Sequence, residues 1–169
     1  MTPEEIRTLY EYDAWANGLT LNACAALTQE QLTQNLGNSF SSVRDTLVHI
    51  LGAQMVWLER LTADEPSGMP KPDAYPDLDA VRVKWGEIEA LLLDYVNGLT
   101  PADIDRVLEY RNLKGTVFHD QIGYALQHLA NHGSYHRGQI TTLLRQLGAT
   151  PVSTDMIRFY RERAAQAAK

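Results

Sequence analysis

"DQIGYALQHLANHGSYHRGQITTLLRQL", residues 120–147, carries a long helical period and three of the chain's five histidines. At roughly 100° per residue, with His136 taken as zero, Ile122, Leu129, Ile140, Leu143 and Leu147 all fall within about 40° of it. His136 therefore points into a core. His132 lies about 40° to one side, still on the buried face, whereas His128 lies about 80° away, at the margin. Side chains four apart on a helix are about 5–6 Å apart, close enough for His132 and His136 to grip one metal ion at about 2.0–2.1 Å each. His128 and His136 are separated by about 12 Å of rise and cannot share an ion. The competing reading is a pair of core or interface histidines, each hydrogen-bonded to a neighbour. Against it, two adjacent inward imidazoles must both be desolvated, and no carboxylate stands at helical spacing to partner them.

Outward from this stretch the chain is dominated by helical patterns. Thr2, Pro3 and Glu5 form a helix start, so helix 1 is expected from about Pro3 to about Ala26. Thr28 and Gln31 repeat the box for a short turn. Ser42 and Asp45 open helix 2, "SSVRDTLVHILGAQMVWLERLT", whose Val43, Leu47, Ile50, Gln54, Trp57 and Leu61 share a face. Residues 63–76 hold four of the seven prolines and read as an extended loop. Helix 3 starts near Asp77 and ends at Gly98, and "TPAD" caps another turn. "VLEYRNLKGTVFH" carries a weak hairpin signal around "NLKG". The last long helix is expected from about Asp120 to Leu147, with Ser153 capping a final helix over 154–166. The expected fold is all-α: one domain over 1–169, a four-helix bundle with crossover connections and a short β-hairpin before the last long helix.

Composition narrows the function. With 44% hydrophobic and 21% charged residues, no apolar run approaches the roughly 20 residues that span a bilayer, and no export signal opens the chain. A cytoplasmic protein without a membrane partner is expected. Fifteen basic residues against twenty-one acidic give a net charge of −6, and no basic cluster exceeds a pair. Nucleic acid is therefore not an expected partner, since phosphate binding needs concentrated positive charge. The single cysteine, Cys24, lies in "LNACAALT" and reads as a small core hydrophobe. Trp15, Trp57 and Trp85 read as core or interface anchors, and Tyr135 as exposed.

Two imidazoles do not make a site, and only His49 and His119 remain. His49 lies beside Ala53 and Val56, about 100° from the centre of the helix-2 stripe, a position that permits a bundle-facing role without demanding it. His119 stands at an expected loop-to-helix junction and reads as solvated or capping. Other metal chemistries are disfavoured by what is missing. Gly133 stands where a zinc protease carries its glutamate base. No glutamate lies three residues before any histidine, as a di-iron bundle would need. Neither a CxxCH haem motif nor a glycine-rich phosphate loop is present. Arg137 and Gln139 read as ties to a neighbouring helix or subunit in preference to binders of an anionic substrate.

The runs "HLANHGSYHRGQI", "LVHILGAQMVWLERL" and "LYEYDAWAN", spread over nearly the whole chain, resemble the DinB family, within a wider group that includes bacillithiol and mycothiol transferases. The resemblance implies a DinB/YfiT-like bundle with a non-sequential helix order, paired as a homodimer. It implies one divalent transition metal, zinc or nickel, on His49, His132 and His136. Three imidazoles leave a coordination position open, where water or a low-molecular-weight thiol cosubstrate can bind. The expected function is thus a metal-dependent thiol S-transferase or hydrolase acting on a small molecule. The rival is a noncatalytic dimeric metal-binding or stress-response bundle.

Overall fold

The computed structural model describes residues 1–62 and 66–168. The elements are α1 (Pro3–Cys24), α2 (Gln29–Thr33), α3 (Val43–Leu61), a 3-10 turn (Pro72–Ala74), α4 (Leu78–Asn97), α5 (Pro101–Asp105), β1 (Val107–Arg111), β2 (Val117–Gln121), α6 (Ile122–Gln146) and α7 (Met156–Ala167). Local chemistry sets most of the starts. Thr2, Thr28 and Thr100 each accept from the amide three residues on, while Glu5, Gln31 and Asp103 reach back to the cap amide. Ser42 and Asp77 cap α3 and α4 through their side-chain oxygens. These bonds satisfy amides that the first turn of a helix leaves without partners.

The four long helices form a bundle in which α1 packs on α4 and α6, and α3 packs on the same two. Helix α1 therefore faces α3 across a diagonal, and α4 faces α6. Arg7 donates to the Asn97 carbonyl and Arg82 to the Leu21 carbonyl, so α1 and α4 are antiparallel. Tyr10 donates to the Leu126 carbonyl and Arg137 to Asn17, so α1 and α6 are parallel. His49 meets His136 and Trp57 meets His128, which sets α3 against α6. The order is up-down-down-up. Both diagonal steps carry extra structure, α2 in one and α5 with the hairpin in the other, as the expected crossover connections require. Between the parallel α3 and α4 the chain must return along the bundle. Its described part leans on α3 at Gly52, where a β-carbon would lie 2.6 Å from Pro70 and 2.9 Å from Met69.

Several boundaries differ from the sequence expectation. The hairpin forms, with Val107 paired to Gln121 and Arg111 to Val117, and Gly115 turns it at φ +84°. Because β2 keeps Asp120 and Gln121, α6 starts at Ile122 instead of Asp120. Helix α1 stops at Cys24, short of Ala26. Ser153 does not cap the last helix; its hydroxyl accepts from the Asp155 amide and α7 begins at Met156. The expected extended loop contains the 3-10 turn, opened by Pro72 and pinned by Asp73 to Arg44. Residues 63–65 of that loop lie outside the described residues. Trp85 is core, Trp15 packs on Tyr12 and Phe159, and Trp57 stands beside Tyr110. Tyr135 is 65% exposed.

A polar layer crosses the otherwise apolar core. Arg137 of α6 is 1% exposed and donates to Asp13 at 2.6 Å, Asn17 at 2.7 Å and Ser134 at 2.9 Å. Asn17 and Gln54 donate to the other Asp13 oxygen, both at 3.1 Å. The structural reading of Arg137 therefore holds: it ties α6 to α1. Gly133 makes room for this pair, since a β-carbon there would sit 3.0 Å from the Arg137 guanidinium and 3.1 Å from Asp13. Removing one member of a buried ion pair strands its partner's charge. Arg137→Met is expected to lower unfolding free energy by about 3–5 kcal/mol in urea titration, with the Asp13→Asn/Arg137→Met double variant recovering part of the loss.

Candidate metal centre

Helices α3 and α6 run antiparallel at the site, so one turn of each meets the other. His49 comes from α3, and His132 and His136 from successive turns of α6. The His132 Nε2 atom lies 3.1 Å from the Nε2 of His49 and 3.1 Å from the Nε2 of His136. All three ligand atoms lie within 4.8 Å of one another. Two nitrogens bound to one ion at about 2.0–2.1 Å, at angles between octahedral and tetrahedral, are separated by about 2.9–3.4 Å. The two short separations fit that window.

The surroundings favour unprotonated rings. Burial, followed by the charge that His136 would carry, lowers His49 to about 4. Burial lowers His132 to about 4 as well, reinforced by His136, His49 and His128. Neutral imidazole is the metal-binding form. Gln139, three residues beyond His136, places its Oε1 at 2.7 Å from His136 Nδ1. Nδ1 therefore donates to the amide oxygen and Nε2 faces the cluster, the kind of hydrogen bond that orients a ligand histidine from behind. His132 Nδ1 is buried without a hydrogen-bond partner. Phe40 stacks on His49 with centroids 3.9 Å apart and meets His136 edge-on at 5.3 Å. It is presented from a tight turn in which Ser41 takes φ +43°, an uncommon conformation for a side-chain-bearing residue.

The structure thus brings His49, His132 and His136 together and leaves the other two histidines out. His128 is exposed, with its ring 6.1 Å from that of His132 and 5.7 Å from that of Trp57. His119 is solvated as expected but caps nothing: it sits in β2 and pairs across the hairpin with Glu109 at 3.0 Å. Gln139 serves His136 and hydrogen-bonds no neighbouring helix among the described residues, contrary to the sequence reading. The sequence reading overlooked Phe40, because an aromatic between helices shows no period. Cys24 is 1% exposed and burial pushes its thiol up to about 12, so it behaves as the expected core residue.

A family model described as the DinB family matches residues 1–167. The chain belongs to the DinB family. Among curated relatives, Protein DinB of Bacillus subtilis (strain 168) is 29% identical over 157 residues, covering 87% of this chain and 88% of the relative. An uncharacterized protein of the same organism, YizA, is 24% identical over 149 residues, covering 88% and 91%. The crystal structure of a DinB-like protein from Bacillus cereus ATCC 10987 superposes with a TM-score of 0.66 at 20% identity, covering 83% of this chain and 91% of that one. At that identity the likeness supports the DinB-like fold. No described helix is long and apolar enough to cross a membrane.

The lowered histidines carry a stability consequence. Both titrate near 6.5 in an unfolded chain and near 4 in the folded one, so below about 6.5 the unfolded state binds more protons. Stability is therefore present above that pH and lost as pH falls toward 4. Denaturant midpoints of the metal-free protein are expected to fall across this window, with a shallower fall in His132→Asn; equal slopes for the two proteins would contradict the assignment.

Proposed function

We propose that this DinB-family protein is a metalloenzyme in which His49, His132 and His136 hold one divalent transition metal, zinc or nickel, through their Nε2 atoms. The observation that carries the reading is the convergence of three imidazoles from two antiparallel helices, with no carboxylate or protein thiol among them. A divalent ion held by three imidazoles keeps a coordination position free and lowers the pKa of the water or thiol bound there. The protein's own residues prepare that chemistry. Gln139 holds the proton of His136 on Nδ1, burial keeps His49 and His132 unprotonated, and Phe40 covers the ring face of His49 and limits access of water.

The reaction class follows from the nucleophile. Cys24 is buried and its thiol stays protonated, so any thiol that reacts must arrive as a low-molecular-weight cosubstrate. We infer a thiol-dependent S-transferase or a hydrolase acting on a small molecule, with the wider family resemblance supporting the transferase. The same resemblance supports a cytoplasmic homodimer.

Titration of tag-free protein with zinc or nickel tests the ligand set. His49→Ala, His132→Ala and His136→Ala are each expected to abolish tight binding, whereas His128→Ala retains it. Gln139→Ala is expected to weaken binding by about 10–100-fold, the usual effect of removing a ligand's orienting partner. Equal losses for His128→Ala and His132→Ala, or no uptake of any transition metal by the native chain, would refute the proposal.

A further inference from the structure

One turn of α6 away from the histidine cluster, a cleft of about 290 Å³ opens between α3, the hairpin and the start of α6. Its walls are Trp57, Tyr110, Tyr124, Ala125, His128 and Asp120. Three aromatic rings and a carboxylate in one small cleft form an unusual wall for a helical bundle. Trp57 and Tyr110 lie 5.0 Å apart at 57°, so their planes form a corner. These rings already attract one cation: the Arg60 guanidinium sits 4.8 Å from the centroid of Trp57 and 4.9 Å from that of Tyr110. From that position its Nη2 also donates to the Arg111 carbonyl, and Arg60 does not line the cleft.

Asp120 is the carboxylate in the wall, half-buried and without an ion-pair partner among the described residues. The Tyr110 hydroxyl donates to its Oδ2 at 2.8 Å, and Oδ1 has no donor among the described residues. Burial, and then Asp120, push Tyr110 up to about 12, so this hydroxyl keeps its proton and holds the carboxylate in place. A fixed carboxylate among aromatic faces suits a compact organic cation: the faces attract it through their quadrupoles and the carboxylate through its charge. Inorganic metal would need further oxygen or nitrogen donors, and an anion would meet Asp120 directly.

We propose that this cleft binds the ammonium group of a small-molecule substrate or cosubstrate, with Asp120 as counter-ion and Trp57, Tyr110 and Tyr124 as its aromatic walls. The inference rests on the metal reading for its orientation alone. His128 stands between the two places, 5.7 Å ring to ring from Trp57 and 6.1 Å from His132, so the orientation proposed for the ligand runs from the cleft past His128 toward the histidines. The substrate class is then a cationic amine carrying its reactive group a short spacer away.

The test uses the full-length protein, with and without one equivalent of zinc, and follows the Trp57 indole N–H by NMR. Choline is the probe and 3,3-dimethylbutan-1-ol its uncharged isostere. Choline is expected to give a saturable shift at Trp57, with the isostere at least about tenfold weaker, as a charge-selective aromatic site requires. Asp120→Asn, which keeps an acceptor for Tyr110, should weaken choline by about tenfold, and Tyr124→Leu, at an exposed position, should weaken it too. Equal binding of the isostere, an unchanged affinity in Asp120→Asn, or zinc uptake without any saturable choline shift would overturn the cleft. Choline binding without zinc uptake would uphold the cleft and remove the metal reading.

Discussion

Helix α6 can present two imidazoles to one point only because its rotation about its own axis is fixed, and Arg137 is the residue that fixes it. The guanidinium is buried on the side next to His136, where it is gripped by Asp13 and Asn17 of α1. A buried ion pair is a poor source of net stability, because desolvation takes back most of the attraction. Its effect is geometric: other rotations of α6 would leave two opposite charges stranded in an apolar core. With α6 pinned to α1 on one side, His132 and His136 are delivered to α3 on the other. Gly133, between the two histidines, has to be small for this arrangement to exist.

The order of the helices carries the second constraint. Running α3 against α6 puts His49 opposite the turn that carries His132 and His136, and it puts Trp57 two turns further on beside His128. The histidine cluster and the aromatic cleft therefore lie along a single α3–α6 seam. The crossover that brings the chain from α4 to α6 supplies the remaining wall, since Tyr110 and Asp120 belong to the hairpin that fills it. A simple up-and-down bundle, with short loops at that end, would have no hairpin to place there.

Much of this was legible in the sequence where one interaction dominated. Capping boxes at Thr2 and Thr28 fixed helix starts because a side chain and an amide three residues apart have few other options. The inward direction of His136 followed from a clean apolar stripe. His49 was harder, because α3 is enclosed by α4 and α6 and buries Val48, Leu51 and Val56 outside its main stripe, so its period could not say which side faced the site. Asp120 and Gln121 were read as helix, and Ser153 as a cap, because strand pairing and loop bonding are decided by partners distant in the chain. Gln139 was read as a tie to a neighbour and instead serves His136, because a spacing of three residues permits either contact.

X-ray absorption on tag-free protein loaded with a single equivalent of zinc or nickel tests the central claim most directly. Convergent delivery of His49, His132 and His136 predicts one bound ion with about three imidazole nitrogens at about 2.0–2.1 Å and a water oxygen completing the shell. A shell with two or fewer imidazoles, or one made of carboxylate oxygens alone, would contradict it.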